Sequence, residues 1–346
     1  MKKGFLLLLI LTILINGVPI QAEEVNQSEN LTITLVGDLL MDGSVRRQIE
    51  KNGLGYPWEM VKEYFQESEL TIGNLETSIT TRGTKWPDKQ FNFRSHPNNL
   101  KAMKEAGIDV VTLANNHTLD FGYEGLLDTL RHLDKYEIQH AGGGKNKKEA
   151  IEGTIIERNG LKIGVLSFSR VVPDVRWYAT SKRAGIVGAY DPHIEEVLNR
   201  VKEMKEEADI VILSVHWGIE RSTVPRKQEI QLARKAIDAG ADIIMGHHPH
   251  VLQGIEIYKG KPIIYSLGNF VFGSRDQLTS TTMIAQININ EKNIDNIEII
   301  PCSIVNGRPI PLTGNKRVEK IDYINTLSKD FKTKINKEGI IKINKQ

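Results

Sequence analysis

Between Leu31 and Gly273, short β-branched runs alternate with stretches of helical spacing, and most of the runs end in polar residues. No other feature limits the fold as much. "LTITLVGD" leads to Asp38, "ELTIGNLE" to Asn74 and Glu76, and "IDVVTLANNH" to Asn115, Asn116 and His117. "ADIVILSVHWG" carries His216 at its end, and "ADIIMGHHPH" carries His247, His248 and His250. Between the runs, "YPWEMVKEYFQES", "PNNLKAMKEAG", "GYEGLLDTLRHLDKY" and "QEIQLARKAIDAG" space their apolar residues as helices do. This alternation predicts an α/β fold with a largely parallel sheet and helices on its faces. Strand ends in such a sheet share one edge, where side chains from distant parts of the chain converge.

Each tip also has a plainer reading. Asp38 suits a helix cap, Asn74 a turn, and Glu76 a loop charge. His117 and His216 each suit a partly buried histidine with its hydrogen bonds met. "GHHPH" resists such a reading, because three histidines in four residues around a proline add little packing. At one sheet edge the tips form a mixed oxygen and nitrogen set. It suits two first-row divalent ions bridged by a carboxylate better than Mg²⁺ or Ca²⁺. Two such ions about 4 Å apart clamp a phosphoryl group and lower the pKa of a bridging water.

The chain of 346 residues has 40% hydrophobic and 25% charged residues and a net charge of +2, so nothing calls for a nucleic-acid partner. Residues 1–22 combine two lysines, an apolar run from Phe5 to Ile15 and a small residue at Ala22. That is the layout of a secretory signal peptide, or of an N-terminal anchor if it is not cut. The single cysteine, Cys302, has no disulfide partner in the chain. After Gly273 the pattern changes to strands without helices and ends in a Lys-rich tail. The organisation expected is a leader at 1–22, a main domain at 31–273 and a C-terminal β-rich extension and tail at 274–346.

The order Asp, then Asn and Glu, then Asn-His, His and His-x-His resembles the calcineurin-like metallophosphoesterase superfamily. "GNLETSI", "FNFRSHP", "LANNHTLDFGYEGLLDTL", "HWGIE" and "GADIIMGHHPHVLQGIEIYKGKPIIYSLGNFVF" are similar to its CapA branch, associated with poly-γ-glutamate capsule synthesis. The likeness runs from about Leu31 to Phe272. It implies a metallophosphoesterase-like four-layer α/β/β/α sandwich with a small C-terminal β-rich extension. It also implies an extracytoplasmic place, secreted or anchored at the outer face of the cytoplasmic membrane, as the leader does independently. The activity implied is that of a metal-dependent hydrolase acting on a phosphoester or on the anionic polymer, beside membrane-bound capsule synthesis proteins. A non-catalytic polymer- or metal-binding subunit and a general extracellular phosphodiesterase or nucleotidase are the alternatives.

Residue by residue, the resemblance makes Asp38, Glu76, Asn116, His216, His248 and His250 ligands of two divalent metal ions, Mn²⁺, Fe²⁺ or Zn²⁺. His247 competes with His248 for its place. His117 becomes the general acid and Asp120 the group that orients it. The chain departs from the pattern twice. The opening D-x-H motif reads "DLL", with Leu40 in place of histidine, so Asp42 or His247 is left to fill the gap. Glu76 stands where an aspartate is usual. Arg94, His96 and Asn269 are candidates for substrate contacts, each with a surface or turn reading beside it. Trp86, Trp177, Arg176 and Arg183 are candidates for a groove that takes an extended acidic polymer.

Overall fold

The computed structural model describes residues 30–274 and 276–343, so the leader read at residues 1–22 lies outside the described residues. Two sheets carry the architecture, one of nine strands and one of six. At the centre of the larger sheet, Leu31–Leu39 pairs in parallel with Leu70–Leu75. That strand pairs in parallel with Val110–Thr112, and Val110–Thr112 with Gln139–Ala141. In the smaller sheet Leu161–Ser169, Ile210–His216, Ile243–His247 and Lys261–Ile264 run parallel in neighbouring positions. The antiparallel strands Thr154–Arg158 and Ile255–Tyr258 close its two edges.

The sheets face each other across a buried layer. Ile33, Leu35, Ile72 and Val110 of the first meet Ile163, Ile212, Ile243 and Met245 of the second. Both faces of the parallel strands are covered, which is why they read as continuous apolar runs rather than alternating ones. Helices Gly43–Asn52, Asn99–Ala106 and Gly122–Lys135 pack outside the first sheet. Ile194–Glu207 and Lys227–Ala239 pack outside the second. The result is a four-layer α/β/β/α sandwich.

Two local readings differ from the sequence analysis. The helix expected across "YPWEMVKEYFQES" is confined to Lys62–Gln66. Trp58 and Val61, both buried, sit in preceding turns whose amides bond three residues back, to Gly55 and Trp58. After Gly273, Thr281–Asn290 extends the first sheet antiparallel to Leu31–Leu39, and Asn293–Val305 pairs antiparallel with Thr281–Asn290 in turn. A helix, Gly314–Leu327, follows them. It buries only Ile321 and Ile324, too narrow a stripe for periodicity to reveal.

Pairing register brings the polar tips level. Asp38 lies opposite both Asn74 and Asn269 in the first sheet, and His216 lies opposite both His247 and Ser169 in the second. Gly37 makes this possible at the first strand. A Cβ there would lie 2.0 Å from the Gly268 carbonyl oxygen, which accepts the Asp38 amide at 3.0 Å. Gly37→Ala is therefore expected to cost about 3 kcal/mol of stability in denaturant unfolding, since backbone cannot give way as a side chain can. An unchanged unfolding midpoint would show that the two strands are not held in this close approach.

Candidate metal centre

Two carboxylates without solvent contact form the middle of the site, for Asp38 and Glu76 are both fully buried. Asp38 Oδ1 accepts from Asn74 Nδ2 at 2.9 Å and pairs with His247 Nδ1 at 3.1 Å, while its Oδ2 lies 3.4 Å from His250 Nδ1, an ion-pair contact without the alignment of a full hydrogen bond. Glu76 has no hydrogen-bond partner at either oxygen. Its Oε1 lies 3.7 Å from His216 Nε2, 3.8 Å from His250 Nε2 and 3.9 Å from His117 Nε2. His247 Nε2 and His248 Nδ1 are likewise buried and unpartnered. Asn116 Oδ1 approaches His216 Nε2 at 2.9 Å, and the His216 and His248 rings lie 4.9 Å apart. Glu76, His248 and His250 each present a ligand atom within 4.8 Å of the others, close enough to share one metal ion.

A second set of residues orients these groups. Asn74 Oδ1 accepts from Thr112 Oγ1 and Asn115 Nδ2, so its amide nitrogen must point at Asp38. Asn115 also accepts the His117 amide, which sets the start of the loop. Asn269 donates to the His250 and Thr279 carbonyls. Its oxygen is thereby left to accept from His250 Nδ1 at 2.9 Å, which directs His250 Nε2 toward Glu76. Asn269 is thus a positioning residue for His250, not a plain turn residue. His248 and His250 both have positive φ, 96° and 58°, on either side of Pro249. Such backbone strain persists only where surrounding structure holds it.

The electrostatics follow from burial. Burial works against the Asp38 charge, but hydrogen bonds from His247 and His250 outweigh it and hold the carboxyl well below the usual range. Burial, joined by the Asp38 charge, pushes Glu76 well above it. His216 is driven well below its ordinary value by burial, and His248 to about 3 by burial and the charge of His250. Burial also opposes the His250 charge, yet Glu76 and Asp38 together raise it to about 9. The pocket therefore holds its cationic proton on His250, beside the two carboxylates.

His117 lies at the rim of this cluster. Its Nδ1 sits 2.7 Å from Asp120 Oδ2, Phe93 packs on the ring at 4.7 Å between centroids, and Nε2 faces Glu76. Asp120 also accepts the Phe93 amide and the Lys89 ammonium, at 2.7 and 2.5 Å. Lys89 Nζ lies 2.9 Å from His117 Nδ1, and burial lowers its pKa against the pull of Asp120. Sequence reasoning missed Lys89. It comes from the loop "WPDKQ", and only tertiary folding brings it to His117.

The structure thus gathers Asp38, Glu76, Asn116, His117, Asp120, His216, His248 and His250 at one place and adds His247, which contacts Asp38 where the altered opening motif left a gap. Leu40 is a core residue, 3% exposed. Asp42 caps helix Gly43–Asn52 and accepts the Arg94 amide, so it is turned away from the centre. Arg94 stacks over Phe121 at 4.4 Å and lines a separate cavity with Arg46 and His96. The expected groove of Trp86, Trp177, Arg176 and Arg183 is corrected by packing. Trp177 is fully buried, Arg176 is forked onto Asp174, and Arg183 donates to the Tyr178 carbonyl.

Among known proteins, the model of the family "Bacterial capsule synthesis protein PGA_cap" matches residues 32–274. The chain is 32% identical over 308 residues to "Capsule biosynthesis protein CapA" of Bacillus anthracis, covering 88% of this chain and 74% of that one. It is 33% identical over 302 residues to "PGA biosynthesis protein CapA" of Bacillus subtilis (strain 168), covering 87% of this chain and 78% of that one. The match begins at the strand that carries Asp38 and ends just past the strand that begins at Asn269, so it spans every residue of the cluster, and the chain belongs to the bacterial capsule synthesis protein PGA_cap family.

Proposed function

We propose that this chain is an extracytoplasmic protein of poly-γ-glutamate capsule synthesis whose strand-tip cluster is a dinuclear hydrolytic metal site. The observation that carries the reading is the group of buried, unpartnered atoms on Asp38, Glu76, His247 and His248. Buried polar atoms without partners cost roughly 1–3 kcal/mol each, and more when charged, unless something fills their coordination. Oxygen and imidazole donors in this mixture suit Mn²⁺, Fe²⁺ or Zn²⁺. Asp38, Glu76, Asn116, His216, His247, His248 and His250 would hold two such ions, with Asn74 and Asn269 orienting the first and last of them. Bound there, the ions supply Lewis acidity and a hydroxide-like water.

The chain's own contribution to turnover is proton delivery and exclusion of solvent. His117 Nε2 faces the centre while Asp120 holds Nδ1, so the ring is aimed to protonate a leaving oxygen or nitrogen. Lys89 fixes Asp120 and adds positive charge for an acidic substrate. The bond cleaved is a phosphoester or a γ-glutamyl amide, since both need an activated water and a proton for the departing atom.

Purified protein is expected to carry about two first-row ions per chain and to turn over a phosphodiester or poly-γ-glutamate. Asp38→Ala with His216→Ala should lose both metal and turnover. Metal without turnover on any of these substrates would leave a binding protein, and absence of metal after loading with Mn²⁺ or Zn²⁺ would end the reading. His117→Ala is expected to keep its metal and lose roughly 10²–10⁴ in kcat, and Asp120→Asn roughly 10–100. Equal loss of metal in these two variants would place His117 among the ligands instead.

Metal loading should also displace protons. Glu76 and His250 both have raised pKa values, His250 to about 9, and each must give up a proton before it can ligate. Affinity is therefore expected to rise with pH from neutral toward about 9. Calorimetric titration in two buffers of different ionisation enthalpy should show about one to two protons released per chain. Affinity that is flat across this range would contradict the assignment of these two groups as ligands.

A further inference from the structure

The C-terminal segment contains a second feature that the metal centre does not use. Asn325, Thr326, Lys329, Lys332, Thr333, Lys334 and Ile335 line an open groove of about 700 Å³. None of the three lysines has an ion pair or hydrogen bond at its ammonium among the described residues, and all three are exposed along the one groove. Thr333 is 8% exposed, and its Oγ1 is buried without a hydrogen-bond partner. The groove is held in shape from behind. Asn325 clasps Ile335 through both backbone groups, at 2.9 and 2.8 Å, and Ser328 Oγ accepts the Ile255 amide at 3.0 Å.

Its position relates it to the centre. Ile255 opens the edge strand of the smaller sheet and lies level with Ile264, which lies level with Met245. Met245 is two residues before His247, so the anchoring point of the groove lies two strand spacings, about 10 Å, to the side of the histidine-bearing strand and about 7 Å back along it. Gly254 allows the close approach, since a Cβ there would lie 2.4 Å from the Leu327 carbonyl oxygen.

We propose that this lysine groove is a polycarboxylate-binding subsite, which holds a stretch of the acidic polymer beside the metal centre. The proposal rests on the polymer reading given above. Three unpaired ammonium groups along one groove match repeated carboxylates on a linear chain better than a single small anion. The buried Thr333 hydroxyl supplies a neutral hydrogen-bonding group between them. Charge-assisted contacts of this kind at an open surface are individually weak and screened by salt, so several in a row are needed to retain a chain.

The test is binding of fluorescently labelled poly-γ-glutamate to the full-length protein at low and at physiological salt. Lys329→Gln, Lys332→Gln and Lys334→Gln together are expected to weaken binding roughly tenfold and to flatten its salt dependence. A control with Lys148→Gln, Lys202→Gln and Lys235→Gln, exposed residues on the outer helices, removes the same charge and should bind within about twofold of the wild type. All six side chains are exposed, and matching thermal unfolding of the two variants would show that the fold is intact. Equal binding by the groove and control variants would overturn the subsite while leaving the polymer reading intact. No binding by the wild type would overturn both. Loss of binding to anionic phospholipid vesicles in the groove variant, with polymer binding unchanged, would also overturn it and make the groove a membrane contact.

Discussion

Two carboxylates removed from water, Asp38 and Glu76, set the electrostatic constraint that the strand-tip cluster has to meet. Burying an isolated carboxylate costs several kcal/mol even after the protein relaxes, so such a group survives only if protonated, paired or bound to a cation. The chain divides the problem between the two. Asp38 is paired with His247 and His250 and stays charged, while burial, joined by the Asp38 field, pushes Glu76 toward the protonated form. Neither solution satisfies the remaining lone pairs. A divalent cation would do so, and it would reverse the upward shifts of Glu76 and His250 while deepening the downward ones of Asp38, His216 and His248, because a positive charge favours the ionised carboxylate and the neutral imidazole.

Neither sheet can build this centre alone. Asp38, Glu76 and Asn116 follow strands of the first sheet, and His216, His247 and the "HPH" turn follow strands of the second. The apolar layer between Ile33, Leu35 and Ile72 on one side and Ile212, Ile243 and Met245 on the other therefore determines whether carboxylates and imidazoles meet. Close packing makes that layer resistant to small displacements. The two glycines that let main chain touch main chain near the edge, Gly37 against Gly268 and Gly246 against Tyr265, have the same role.

Much of this was legible in the sequence, for reasons that can be named. Continuous apolar runs ending in Asp38, Asn116, His216 and "GHHPH" made both the α/β layering and the common edge readable, because parallel strands must present their carboxyl ends together. The competition between His247 and His248 was not resolvable by spacing, since it depends on which imidazole turns toward Asp38, and in the structure both come to the cluster. Lys89 was invisible, because its loop has no periodicity and its partners are 28 and 31 residues away. Trp177 misled for the opposite reason. An aromatic beside arginines reads as a binding surface, but its indole packs fully inside the core. The helix Gly314–Leu327 was hidden by a polar composition that needs only two buried isoleucines.

Geometry accounts together for Leu40 and Glu76, the two places where the sequence departs from the pattern it resembles. Leu40 lies in the hydrophobic core, and His247 contacts Asp38 from the opposite sheet. Replacement of aspartate by Glu76 then has a physical use. A glutamate reaches one methylene further from the backbone, and its Oε1 stands nearly equidistant, 3.7 to 3.9 Å, from imidazoles of His216, His250 and His117. The longer arm lets one oxygen face imidazoles carried by both sheets. The Glu76 backbone is fixed at the first sheet, since its amide donates to the Leu39 carbonyl, so the reach toward His216 and His250 of the second sheet comes from the side chain alone. With His247 in contact with Asp38, the carboxylates of one sheet thus meet the imidazoles of the other.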